Sequence, residues 1–115
     1  MSARPKISQD PMYQLLRDEN VQEFNARRSK GTNPDMRGVD LHGLDLRSMN
    51  VDGLDFTDAC FRSADLRGLD FRNSKLEGVS LAAANISGCY FPKELSPTEI
   101  LLSVTHGIRM RYGTR

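Results

Sequence analysis

The fold is decided by residues 39–48, Val39-Asp40-Leu41-His42-Gly43-Leu44-Asp45-Leu46-Arg47-Ser48, in which one five-residue pattern occurs twice. The pattern continues in both directions, so that every fifth residue is apolar. These centre positions are Met36, Leu41, Leu46, Val51, Phe56, Phe61, Leu66, Phe71, Leu76, Leu81, Ile86 and Phe91. A spacing of five distributes apolar residues around the whole circumference of an α-helix, whereas an amphipathic helix needs spacings of three and four. The period therefore predicts twelve tandem repeats and argues against a helix here.

The other positions of the repeat indicate a short extended segment followed by a turn. The residue two positions before each centre is mostly apolar or small, and the residue between them is Asp or Asn in eight of the twelve repeats. Side chains that point inward, outward and inward in succession are typical of an extended segment. Six of the nine glycines occupy the last position, where a tight turn often needs a positive φ. Those glycines are Gly38, Gly43, Gly53, Gly68, Gly78 and Gly88.

The runs at 39–43, 44–48, 64–68 and 84–88 resemble the A(D/N)LXX unit of pentapeptide-repeat proteins. The resemblance implies an all-β solenoid, a right-handed quadrilateral β-helix in which twelve pentapeptides make about three coils. Handedness and the four sides follow from the resemblance alone. Four repeats depart from the motif, because the usual Asp or Asn is replaced. The replacements are Cys60, Lys75, Ser80 and Tyr90.

The segments on both sides of the repeats carry helix signals. An N-cap followed by proline at residues 10–11 and a capping box at residues 20–23 predict two short helices, or one bent helix, between Pro11 and Ser29. Residues 96–99 predict another helix that extends to about His106 and is ended by Gly107. The ends of a repeat array expose apolar groups and unpaired backbone, so we expect short helical caps there. The expected parts are an N-terminal helical cap at 1–33, the repeat β-helix at 34–93, and a C-terminal helix and tail at 94–115.

The C-terminal segment is a candidate partner-binding element. Ile100, Leu101 and Val104 lie on one side of the predicted helix. In the tail, apolar residues alternate with arginines, which is the period of a strand. The apolar tail residues are Ile108, Met110 and Tyr112. Such a tail pairs either with an edge of its own chain or with a second copy in a homodimer, and both alternatives stay open at this stage.

Arg62 and Cys60 are candidate residues of a second binding surface. With four repeats per coil, residues twenty positions apart lie in line, which places Arg62, Cys60 and His42 on a surface without net charge. Small residues, among them Ala82 and Ala83, follow on the same surface. A flat, weakly charged patch suits a docking partner and is equally typical of ordinary solvated surface.

Composition limits the classes of function. The formal net charge is +1, which gives long-range attraction to nucleic acid or anionic lipid little to act on. No apolar run is long enough for a membrane span or a signal peptide, so we expect a cytoplasmic protein. Two cysteines and two histidines without metal-ligand spacing predict neither a metal site nor a cofactor. No nucleophile–base pair or phosphate loop points to an enzyme.

The sequence therefore predicts a non-catalytic protein–protein interaction module with an unknown protein partner. The family resemblance offers an alternative, because some pentapeptide-repeat proteins imitate DNA and bind type II topoisomerases such as gyrase. Those proteins are long and strongly acidic. Residues 34–93 contain nine acidic and seven basic residues, so charge and length both disfavour this alternative.

Overall fold

Residues 4–113 are described by the computed structural model, and the helices among them are three. Helix α1 spans Pro11–Arg17, α2 spans Val21–Ser29 and α3 spans Pro97–His106. Between α2 and α3 the backbone turns at every repeat. None of the helices in this described part is long and apolar enough to cross a membrane.

Each helix begins where a side chain accepts a hydrogen bond from the first turn. Asp10 accepts from the N–H of Met12 at 2.8 Å, and Asn20 and Ser96 cap α2 and α3 in the same way. Helix α3 ends at Gly107, whose φ of 74° is left-handed. The helices that the capping residues predicted are confirmed at these positions, because a cap acts within a single helical turn.

Parallel bridges join residues that lie twenty positions apart in the repeat region. They connect Asp40 with Cys60, Asp45 with Asp65, Asp55 with Lys75, Cys60 with Ser80, Asp65 with Asn85, and Asp70 with Tyr90. The N–H of Leu41 donates to the carbonyl of Cys60 at 2.8 Å, and the N–H of Cys60 donates to the carbonyl of Val39 at 2.9 Å. We call each line of bridged residues a row; the Cys60 row consists of Asp40, Cys60 and Ser80.

The predicted fold class is wrong. An all-β solenoid, in the form of a right-handed quadrilateral β-helix of about three coils, requires β-strands. Residues 4–113 contain no β-strand and no sheet; their regular elements are helices, and their β pairing is limited to isolated bridges. The physical reason is the turn at the end of every repeat. It ends the extended segment after one bridged residue, so that consecutive residues do not form a ladder of bridges.

Burial confirms which repeat positions point inward. Centre residues from Met36 to Leu81 are buried, and only the last two, Ile86 and Phe91, are partly buried. The rings of Phe56, Phe61 and Phe71 contact one another with centroid distances of 5.2, 6.1 and 6.0 Å. Each buried aromatic or aliphatic side chain of this kind contributes about 1.5–3 kcal/mol. The centre of the repeat region is therefore the hydrophobic core.

The N-terminal segment supplies hydrogen bonds to the first repeats. Lys6 forms a parallel bridge with Val39. In α2, the side-chain amide of Asn25 accepts from the N–H of Asn50 and donates to the carbonyl of Ser48, both at 2.8 Å. One side-chain amide thus takes the place of a neighbouring peptide unit.

The C-terminal tail pairs with the last repeats of its own chain. Arg109 forms an antiparallel bridge with Ser80. The N–H of Met110 donates to the carbonyl of Val79 at 2.9 Å, and the carbonyl of Met110 accepts from the N–H of Gly78 at 2.7 Å. The alternating pattern left two alternatives open, pairing with an edge of the same chain or with a second copy. In this structure the tail pairs with its own chain.

Candidate binding surface around Arg62

Arginines of the repeat region pair with an aspartate two residues earlier. In Arg47 the Nε atom lies 2.9 Å from Oδ1 of Asp45, and Nη2 lies 2.7 Å from Oδ2. The same two-point contact occurs in three further pairs. They are Arg37 with Asp35, Arg67 with Asp65, and Arg72 with Asp70. The two residues of each pair point outward on either side of the buried centre residue, which brings the carboxylate and the guanidinium together.

These pairs hold the carboxylates in their ionised form. The side-chain hydrogen bonds from Arg47, followed by its backbone N–H, lower the pKa of Asp45 from 3.8 to about 2. Hydrogen bonds from Arg67 and Arg72 likewise lower the pKa of Asp65 and Asp70. A charge-assisted hydrogen bond to the ionised form of a carboxyl group favours that form.

Arg62 is the exception to this pairing. Its position in the repeat is the same, but the residue two positions earlier is Cys60. Among residues 4–113, no carboxylate lies within ion-pair distance of Arg62, and its guanidinium makes no hydrogen bond. Arg62 is exposed, whereas Cys60 is partly buried. A guanidinium built for a two-point contact is thus left without its carboxylate.

An open cavity of about 590 Å³ lies on one side of Arg62. Its lining consists of Pro5, Asp40, His42, Cys60, Arg62 and Ser63. Here Nδ1 of His42 lies 2.7 Å from Oδ1 of Asp40. Partial burial alone would raise the pKa of Asp40, but the hydrogen bonds from the ring and the backbone N–H of His42 outweigh it and lower this pKa. The aspartate of this cavity therefore already has a partner.

A second open cavity, of about 640 Å³, lies on the other side of Arg62. Its lining consists of Arg62, Ser80, Ala82, Ala83, Val104, Thr105, His106 and Gly107. The small side chains come from the repeat at residues 79–83, twenty positions after the repeat of Arg62, and the remaining lining comes from the end of α3. Arg62 belongs to both cavities and joins them. We call the lining residues of the two cavities the Arg62 surface.

Three of the candidate residues predicted from the sequence lie on this surface: Cys60 and Arg62 line the first cavity, and Arg62 and Val104 line the second. Sequence reasoning missed Pro5, Thr105 and His106 as members of this surface. Pro5 carried no signal, because the residues before α1 follow no pattern. His106 could be recognised only as a favourable residue at a helix C-terminus.

The other predicted residues of the C-terminal segment lie elsewhere. Met110 is fully buried, and the hydroxyl of Tyr112 accepts from the N–H of Leu76 at 2.8 Å. Burial raises the pKa of the Tyr112 phenol. Ile100 and Ile108 are partly buried, whereas Leu101 is 62% exposed. Leu101 is therefore the candidate in this segment with the most accessible side chain.

Comparison with protein families identifies the class of protein. The family model for pentapeptide repeats matches residues 35–73 and 55–91, with eight copies of the repeat. The chain belongs to the pentapeptide-repeat family, and the resemblance noted in the sequence is confirmed. The match assigns no catalytic activity. Comparisons with curated proteins and with solved structures give no match. Residues 4–113 contain no group of three or more His, Cys, Asp or Glu side chains placed to hold a metal ion.

Proposed function

We propose that this chain is a non-catalytic interaction module that docks a protein partner on the Arg62 surface. The observation that carries the proposal is the guanidinium of Arg62, which has no ion-pair partner among residues 4–113 and lies at the junction of two open cavities. An exposed arginine that has lost its intramolecular carboxylate keeps donors available in a fixed fork, and arginine is enriched among the residues that dominate binding energy at protein interfaces.

The lining favours a protein over a small molecule. Small-molecule pockets are predominantly lined by hydrophobic and aromatic side chains, but neither cavity has a Phe, Tyr or Trp in its lining. Small side chains such as Ala82 and Ser63 let the main chain of a partner approach closely. The two cavities together form an extended site rather than a single enclosed pocket.

The backbone beneath this surface is held by hydrogen bonds on both sides of Cys60. Its carbonyl accepts from Leu41 N–H at 2.8 Å, and the next inward residue, Phe61, donates to the carbonyl of Ser80 at 2.9 Å. A surface that is ordered before binding loses less conformational entropy when the partner docks. The ordered backbone therefore supports a role in which the surface binds a partner and performs no catalysis.

Site-specific photo-crosslinking tests the proposal. The photoreactive residue p-benzoylphenylalanine is introduced at Ala82, which lines the second cavity, and at Ser87, the equivalent position of the next repeat. We expect one protein of the native host to crosslink at Ala82 and not at Ser87, and the two purified proteins to bind each other. Equal crosslinking at both positions, or none at Ala82, would refute docking on this surface.

Binding to a type II topoisomerase is not favoured by the surface chemistry. A DNA mimic needs unneutralised carboxylates, but Asp35, Asp45, Asp65 and Asp70 are each paired with an arginine. If the purified chain inhibited gyrase supercoiling at low stoichiometry, topoisomerase binding would be favoured over docking on the Arg62 surface.

Self-association through the C-terminal helix stays a separate proposal. Its support is the exposed side chain of Leu101, since the apolar tail residue Met110 is buried in its own chain. Light scattering at high protein concentration should show a dimer that Leu101→Ser reduces to a monomer. A monomer for the unchanged chain would contradict it.

A further inference from the structure

We infer that the partner docked at Arg62 is an acidic peptide segment, whose Asp or Glu carboxylate completes the two-point contact that Cys60 leaves open. This inference rests on the proposed function and specifies the chemistry of the partner. Four equivalent arginines of the same chain indicate what the position binds.

The geometry of the missing contact is known from the neighbouring repeat. In Arg67 the Nε atom lies 2.9 Å from Oδ1 of Asp65, and Nη2 lies 2.7 Å from Oδ2. Arg62 occupies the same place one repeat earlier, and the chain offers it a thiol side chain instead of a carboxylate. The planar guanidinium fork matches a carboxylate in two parallel hydrogen bonds. A carboxylate from another chain therefore fits where the aspartate of the repeat is absent.

The charges around Arg62 favour a carboxylate over a phosphate group. Sites for phosphorylated peptides are built from clusters of arginines. Arg62 is the one arginine among the residues that line the two cavities. Two ionisable groups nearby have partners, because His42 contacts Asp40 and Arg109 contacts Asp58. One available guanidinium matches the single charge of a carboxylate better than the double charge of a phosphate.

The extent of the surface favours a peptide segment over a free acid. The two cavities extend from Pro5 on one side of Arg62 to the end of α3 on the other. A carboxylate bound at Arg62 leaves both cavities for the residues before and after it. Small side chains along this path, Ser63 and Ala83 among them, leave room for an extended main chain.

Selection from a displayed library of random ten-residue peptides tests the inference on the full chain. We expect enrichment of peptides with a common Asp or Glu. Replacing that acid by Asn or Gln in the synthesised peptide should weaken binding about tenfold or more, since hydrogen bonds to charged groups are among the stronger ones. Phosphopeptides and a short DNA duplex serve as competing probes. Preferred binding of either of these, or a library that yields no acidic consensus, would overturn the inference.

Two variants of the protein make the test specific. Arg62→Gln removes the guanidinium, and Cys60→Asp restores the aspartate of the repeat, so that Arg62 is paired within its own chain. Both should weaken binding of the selected peptide about tenfold or more. The matched control Arg67→Gln, at the equivalent position of the next repeat, should leave it unchanged. Unchanged binding in Cys60→Asp, whose fold is preserved because Asp occupies this position in neighbouring repeats, would refute the role of the unpaired arginine.

The proposed function and this inference fail in different ways. If no partner crosslinks at Ala82, docking on the Arg62 surface is wrong. If a partner crosslinks at Ala82 equally in the unchanged chain, in Arg62→Gln and in Cys60→Asp, the surface docks a protein but does not recognise its carboxylate.

Discussion

The hydroxyl of Ser103 accepts the backbone N–H of Leu81 at 2.8 Å and donates to the carbonyl of Ile108 at 2.7 Å. In the preceding repeats the equivalent N–H groups bond to a carbonyl nearly twenty residues further on: Leu41 to Cys60 and Phe61 to Ser80. For the N–H of Leu81 the acceptor is instead the hydroxyl of Ser103, a residue that is fully buried. One side chain of α3 therefore takes over the backbone pairing where the repeats end.

Ser103→Ala should lower the free energy of unfolding by about 1–3 kcal/mol, because it leaves a buried N–H and a partly buried carbonyl without this partner. Urea denaturation measures the change. Ser87→Ala is the matched control, since the Ser87 side chain is exposed and makes no hydrogen bond within residues 4–113. Equal stability of the two variants would contradict the role of Ser103.

Leu66→Asp should destabilise the chain by at least about 4 kcal/mol, because it places an unpaired carboxylate at a core position that is 0% exposed. Loss of the cooperative thermal transition in circular dichroism is the expected result. Arg67→Gln changes the adjacent, outward-facing residue and should leave the cooperative transition in place, because an exposed ion pair contributes little to stability. Similar transitions in both variants would show that the inward assignment is wrong.

Gly78→Ala should destabilise the chain more than Gly43→Ala. Both glycines have a left-handed φ, of 79° and 72°, which costs an alanine about 1–2 kcal/mol. A Cβ at Gly43 meets no neighbour within 4 Å, whereas a Cβ at Gly78 overlaps the carboxylate of Asp58 and displaces it from Arg109. Thermal denaturation of the two variants measures the difference. If Gly78→Ala lost less thermal stability than Gly43→Ala, the ion pair between Asp58 and Arg109 would not contribute to the difference.

Stability should fall on acidification between about pH 4 and pH 2. The pKa of Asp45 is lower in the folded chain, at about 2, than its ordinary value of 3.8. A group with a lowered folded pKa contributes its stability above the unfolded pKa and loses it as the pH falls through the folded pKa. Asp45→Asn should reduce the change in Tm over this range. Asp52→Asn is the control, because the carboxylate of Asp52 accepts a hydrogen bond from the side-chain amide of Asn73 and forms no ion pair with an arginine among the described residues. An identical acid response in both variants would exclude the Arg47 pair as a cause.

Local and periodic features could be predicted from the sequence. The burial of residues such as Phe61 and Leu66 followed from the period of five, since it repeats one inward position in each unit. The start of α3 followed from Ser96, because a cap bonds only within its own turn. The all-β class could not be predicted correctly. The period indicates extended residues but does not show how many of them pair in succession, and here the bridges stay isolated.

The sequence by itself determined which residues of each repeat lie inside, where the helices begin, and that Cys60 stands where Arg62 would find its aspartate. Those properties depend on neighbours within a few residues. Only the tertiary structure decided that no carboxylate of residues 4–113 pairs with Arg62, that α3 lines the cavity beside it, and that Met110 pairs with Val79 of its own chain. Each of these depends on contacts between residues far apart in the chain, and no local pattern specifies which distant segments meet.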